Sequence, residues 1–99
     1  MEATFKVAGS FELKSRGLFV VFGEIVGGVL RAGMQVSAPL QGELSVTGTI
    51  ASVEFVDDRA RGKGYPALTF HVDEPAELEI WRSLIEEGTL LRVSEPRSA

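Results

Sequence analysis

The sequence contains no cysteine, and this absence removes several kinds of chemistry at once. Disulfides, thiolate metal sites and cysteine nucleophiles are excluded, so stability must come from packing. His71 is the only histidine, and no serine lies in a Gly-x-Ser-x-Gly frame. Acid–base and nucleophilic catalysis therefore lack recognisable machinery. We expect a protein that is not an enzyme and has no catalytic residue, metal or cofactor.

Long apolar runs are missing as well. No stretch of about 18 apolar residues could span a bilayer, and the first residues lack the basic and apolar segments of a signal peptide. We therefore expect a cytoplasmic protein that does not contact a membrane.

The charge balance disfavours nucleic acid. With 14 acidic and 10 basic residues, the formal charge is −4, which repels phosphate backbones. A phosphate-binding loop is also lacking, because the run 62–64 has neither the spaced second glycine nor the Lys-Ser/Thr pair that GTP binding requires.

What remains is an ordinary globular composition. The 99 residues are 44% hydrophobic and 24% charged, which suits one core and leaves no room for a second domain. We expect a single domain over residues 1–93, followed by a flexible tail at 94–99.

Most segments alternate with a period of two, which is typical of strands. Residues 5–13 alternate with a bend at Gly9, and their odd positions are expected to share one core with Leu68, Phe70 and Val72. The run 18–22 is apolar on both faces, as in a strand that is covered on both sides or offers its outer face to a partner. Residues 44–56 form the longest strand candidate, with a phase slip near 51–52 that indicates a bulge.

Turns and one helix divide these strands. Reversals are predicted at 27–28, 32–33 and 39–42, and a charged loop at 57–64. Pro75 fits a first helical turn and Gly88 can end the helix, on one side of which fall Leu78, Trp81, Leu84 and Ile85. A last strand is predicted at 89–93. The pattern indicates an all-β fold, a small closed six-stranded, mostly antiparallel β-barrel with one short helix near the C-terminus.

Four segments have a characteristic order and spacing: Phe-Glu-Leu-Lys-Ser-Arg-Gly at 11–17, Gly-Glu-Ile-Val-Gly-Gly-Val-Leu-Arg-Ala-Gly-Met-Gln-Val at 23–36, Gly-Thr-Ile-Ala-Ser-Val-Glu-Phe at 48–55 and Glu-Gly-Thr-Leu-Leu at 87–91. Together they resemble the β-barrel that forms the second domain of translational GTPases such as elongation factor Tu. The resemblance spans residues 4–93 and implies a stand-alone barrel without its GTPase domain.

Two departures from that family pattern bear on the surface. Five apolar residues, 18–22, stand where the family has four with small or polar threonines, and the helix carrying Trp81 is longer than the family's turn. The outer surface of the second strand is therefore expected to differ from that of the family.

Two surfaces are candidates for partner binding. One is basic and comprises Arg59, Arg61 and Lys63, joined by Lys14 and Arg16 if both loops reach one rim; the other is the apolar second strand around Phe19 and Val21. The resemblance implies a non-catalytic module that docks a protein or a ribonucleoprotein, with RNA disfavoured by the net charge and association of copies left open. The alternative is a regulatory or small-ligand-binding barrel, with a cleft between the helix of Trp81 and the sheet.

Overall fold

A computed structural model describes residues 2–41, 44–72 and 74–95 of the chain. The elements are β1 Glu2–Leu13, β2 Leu18–Gly27, β3 Gln35–Gln41, β4 Leu44–Thr49, β5 Ser52–Asp58, β6 Lys63–His71, α1 Pro75–Leu84 and β7 Leu90–Ser94. A short 3-10 turn, Lys14–Arg16, joins β1 to β2. The expected class is confirmed: the domain is mostly β-structure with one helix.

The strands form one curled, antiparallel sheet in the order β4-β3-β7-β1-β2-β6-β5. The predicted closed six-stranded barrel is wrong, because within the described residues β4 and β5 are the edges of an open seven-stranded sheet. The predicted long strand 44–56 is divided at Ile50 and Ala51. The Ile50 amide donates to the Met34 carbonyl over 2.9 Å, and the Ala51 amide donates to the Thr69 carbonyl over 2.7 Å. The two edges therefore approach one another at this link.

A bulge in β1 changes which side chains reach the core. The pairing of β1 with β2 shifts register between Val7 and Gly9, at the predicted bend. Phe5 and Val7 are fully buried, whereas Phe11 after the bulge is exposed. The expectation that residues 5–13 present one continuous inward row is therefore wrong, because the extra residue moves the later odd positions to the outer face.

The core lies on the inner face of the sheet and is covered by α1. Leu78, Trp81 and Ile85 join the buried cluster, as the helical spacing predicts. The Trp81 ring stacks on Phe70 with 5.7 Å between ring centroids. A Cβ added at Gly48 would lie 2.9 Å from the Trp81 ring, so the helix packs closely against β4.

Several predicted boundaries differ by a few residues. The helix ends at Leu84, before the predicted stop at Gly88. β2 ends at the predicted 27–28 turn, but β3 pairs with β4 and β7 rather than returning along β2. β3 extends into the predicted 39–42 turn, and β7 includes Ser94 of the predicted tail. Residue 42 of that turn and residues 96–99 of that tail lie outside the described residues.

Among the described residues, no helix has the length and apolar character needed to cross a membrane.

Candidate functional site

The basic turn, defined as Arg59, Arg61 and Lys63, connects β5 to β6, and most of its charge is compensated. Lys63 Nζ lies 2.8 Å from Glu24 Oε1 on β2. Arg61 Nε lies 3.6 Å from Asp58 Oδ2, and its Nη2 lies 4.0 Å from Glu87 Oε1. Only Arg59 forms no ion pair with any residue that the structure describes. The turn is therefore not a concentrated positive patch.

The acid–base behaviour of these groups follows from the pairing. The hydrogen bond from Lys63 and the charge of its ammonium lower the pKa of Glu24, and the same contact with Glu24 raises the pKa of Lys63. The pKa of Arg61 is raised first by the Tyr65 side chain and then by the Asp58 and Glu87 carboxylates. Both shifted cations thus remain charged at neutral pH, although each already faces an acidic partner.

Lys14 and Arg16 do not join the basic turn, because the two loops do not reach one rim, which was the condition for grouping them. Both lie in the exposed turn between β1 and β2. Leu18, which follows that turn, pairs with His71 at the far end of β6 from Lys63. His71 lies eight residue steps from Lys63 along β6, which corresponds to about 26 Å at roughly 3.3 Å per step. The five cations therefore divide between opposite ends of the sheet.

Phe19 and Val21 belong to the core, so the prediction that they form a contact surface is wrong. Their side chains are 1% and 0% exposed and point to the inner face, where Phe19 pairs with Phe70 and Val21 with Leu68. The outward positions of this strand are Leu18, Val20 and Phe22, which alternate with them.

Two of these outward positions, Leu18 and Val20, contribute to the floor of a trough on the outer face of the sheet. We use this name for a depression of about 200 Å³ with Leu18, Val20 and Thr69 on its floor. Its remaining lining includes Phe11, Leu13 and Arg16 on the β1 side and Ser52, Glu54, Phe55 and Val56 on the β5 side. The hydroxyls of Ser52 and Thr69 are 2.6 Å apart and satisfy one another. The buried part of the floor is therefore apolar or internally hydrogen-bonded.

An aromatic row lies beside the trough. Phe11, Phe22 and Tyr65 come from three adjacent strands, with ring centroids 6.1 Å and 5.4 Å apart. Lys63 Nζ lies 5.2 Å from the centroid of the Tyr65 ring. The row was not predicted, because it depends on a contact between strands: the Phe22 ring packs over Gly9 of the neighbouring strand, where an added Cβ would lie 2.5 Å from the ring.

The β5 edge, defined as residues 52–58, adjoins the trough. Phe55 is 69% exposed, although its ring is seated against the backbone of Gly64, where an added Cβ would lie 2.3 Å from it. Val53 is also exposed. Glu54 and Asp57 are exposed and form no ion pair among the described residues. The alternation of Val53 and Phe55 was visible in the sequence, but their exposure follows from the edge position of β5.

The structure places the only histidine of the sequence and shows how the acidic side chains of the described residues are distributed. His71 is exposed on the outer face at the end of β6, as its alternation predicts. Within the described ranges, no three His, Asp or Glu side chains are grouped closely enough to hold a metal ion. Around Trp81 the contact between the helix and the sheet is closely packed, because this ring is buried between Phe70 and Gly48. A depression of about 260 Å³ lies instead at the start of α1, where Pro75 and Leu78 face Glu12, Gly17 and Val72.

Comparisons with protein families, with curated proteins and with solved structures find no match to this chain. The fold defines the class of protein as a small all-β domain with a curled antiparallel sheet. The narrower resemblance to translation-factor barrels rests on the sequence segments alone.

Proposed function

We propose that this chain is a non-catalytic interaction module, resembling the second domain of translational GTPases, and that it binds a protein partner through the outer face of β1, β2, β6 and β5. The observation that carries the proposal is the trough. Its floor is apolar, and its β1 side presents Phe11, a large ring that is 37% exposed. Apolar depressions with exposed rings at their margin are typical of protein-binding sites.

Two features favour this outer face over the inner one. α1 covers the inner face, whereas within the described residues neither helix nor strand packs over the trough. The outer face also carries charges of both signs at its margin, Arg16 and Glu54. Polar groups around an apolar centre are the usual arrangement of a protein interface. A cytoplasmic location, as in translation factors, is part of the proposal.

A ribonucleoprotein or RNA partner is the second candidate, and the aromatic row beside Lys63 favours it, since bases stack on aromatic rings. The decisive quantity is accessibility. Tyr65 is only 5% exposed and its ring packs against Phe22, so neither face of that ring is free for a base. Together with the compensated cations and the net charge of −4, this low accessibility is our reason for proposing a protein partner rather than RNA.

Site-specific photo-crosslinking tests the proposal. A photoreactive phenylalanine analogue replaces Phe11 beside the trough, and the control carries the same analogue at Ile80, an exposed position on α1. We expect the Phe11 probe to capture a protein from cells of the source organism and the Ile80 probe not to capture it. Capture of RNA at Phe11 would support the second candidate. Equal capture at both positions, or none at Phe11, would refute the proposed surface.

A further inference from the structure

The β5 edge combines two features that ordinary edge protection does not explain together. Acidic side chains on an edge strand prevent pairing with other chains, and Glu54 and Asp57 fit that role. Phe55 does not, because it is the most exposed large hydrophobic side chain among the described residues. Its ring is also held in place, seated against Gly64 on β6. An exposed ring with a fixed seat has the properties of a binding anchor.

From this combination we propose that the β5 edge binds an extended, basic strand of the partner protein, which adds to the sheet as an eighth strand. This inference rests on the proposed function and specifies its partner. Added strands gain affinity from main-chain hydrogen bonds and specificity from alternating side chains. Within the described residues no strand pairs with the outer side of β5, so its outward amides and carbonyls have no strand partner.

Charge determines the chemistry of the incoming strand. Glu54 and Asp57 are three residues apart, and neither has a cationic partner among the described residues. Opposite charges directly across two strands stabilise pairing, and like charges destabilise it. A partner strand should therefore carry two basic residues separated by two apolar residues, which would lie opposite Phe55 and Val56.

The same argument disfavours a second copy of this chain on the edge. Pairing β5 with another β5 would place Glu54, Asp57 and Asp58 of both copies along two adjacent strands. Such an arrangement concentrates carboxylates, and like charges across strands are unfavourable. The acidic residues therefore disfavour pairing with a second copy and favour pairing with a basic strand, so the same side chains serve both purposes.

Peptide titration of the full chain tests this assignment. The probe has the sequence Thr-Lys-Val-Val-Lys-Val-Thr, and the matched control has Glu in place of both Lys. We expect the basic peptide to shift the backbone amide resonances of residues 52–58 at concentrations up to about 1 mM, with about tenfold weaker binding by the acidic peptide. Equal binding by both peptides, or no shift with the basic one, would overturn the inference.

Variants of the edge separate this inference from the proposed function. Phe55→Ala should weaken binding of the basic peptide by about tenfold, and Ile80→Ala should leave the affinity for this peptide unchanged. In the double variant Glu54→Lys with Asp57→Lys, the peptide preference should reverse. If the β5 amide resonances shift when only the protein concentration is raised, the edge binds a second copy of the chain. That result would overturn the inference that its partner is a basic strand. If Phe11 captures a protein but the basic peptide does not bind, the proposed function stands and this inference fails.

Discussion

Replacing Phe70 by alanine tests the packing of the helix against the sheet, because this ring stacks on Trp81 at the centre of that contact. Phe70 is 4% exposed, so the substitution removes an almost completely buried ring. Buried Phe→Ala changes cost about 3–5 kcal/mol through lost transfer energy and the remaining cavity. Total unfolding free energies of domains are about 5–15 kcal/mol, so Phe70→Ala should leave a barely stable protein.

Phe11→Ala supplies the matched comparison on the outer face. Phe11 is 37% exposed, which leaves roughly two thirds of the side chain buried. Because full burial of Phe contributes about 1.5–3 kcal/mol, its removal should cost about 1–2 kcal/mol. The two variants remove the same atoms, so the difference between their losses reports on the face that each ring occupies.

Urea denaturation measures both losses. Unfolding followed by circular dichroism and by Trp81 fluorescence should give coincident curves if the transition is two-state, and an unchanged slope confirms that the midpoint reflects stability. We expect Phe70→Ala to lose at least about 1 kcal/mol more than Phe11→Ala. Equal losses, or a larger loss for Phe11→Ala, would show that the β1 bulge does not turn Phe11 outward.

Three further outcomes are expected. Calorimetry should detect no GTP binding, since the chain lacks a phosphate-binding loop; micromolar affinity would contradict this. Because Lys63 lowers the pKa of Glu24, this pair stabilises the fold at pH values above the unfolded-state pKa of Glu24, and the contribution is lost as the pH falls through the folded-state pKa. In the variant Lys63→Ala, an NMR titration should find the pKa of Glu24 raised toward its ordinary value. An unchanged pKa would refute the pairing. Gly23→Ala should lower the unfolding free energy measured in urea by at least about 1–3 kcal/mol, because the added Cβ would lie 1.9 Å from the Lys6 carbonyl oxygen. In the control variant Gly27→Ala the added Cβ meets no atom within 4 Å, so the stability should be nearly unchanged.

The elements that could be predicted are those whose pattern is local. Leu68 and Phe70 alternate with the smaller or more polar residues Ala67, Thr69 and His71. Leu78 and Trp81 repeat at helical spacing, and all four of these large side chains belong to the core cluster, as their patterns predict. No knowledge of other strands is needed for these assignments. The phase slip near Ala51 indicates a bulge within one strand, but at this point the structure divides the predicted strand into β4 and β5.

The errors in the site have a common physical cause, which is that they depend on relations between strands. Residues 18–22 are apolar throughout, so a period of two contains no information on which face is inward. The hypothesis of a contact surface around Phe19 fails for this reason, since Phe19 is buried. Whether Arg16 approaches Lys63 depends on the pairing of β2 with β6, which places them at opposite ends of the sheet. Register between strands is not encoded in either strand alone.

The open sheet connects the fold to the proposed binding site. A closed barrel has no edges, because every strand is paired on both sides. Here the chain passes from one edge to the other through Ile50 and Ala51, and their hydrogen bonds to Met34 and Thr69 join the edges at that link. Beyond it, β5 continues along β6 alone within the described residues, which leaves its outer side available. The same departure from closure that made the barrel prediction wrong therefore provides the edge on which we propose that a basic strand binds, with Phe55 as its anchor.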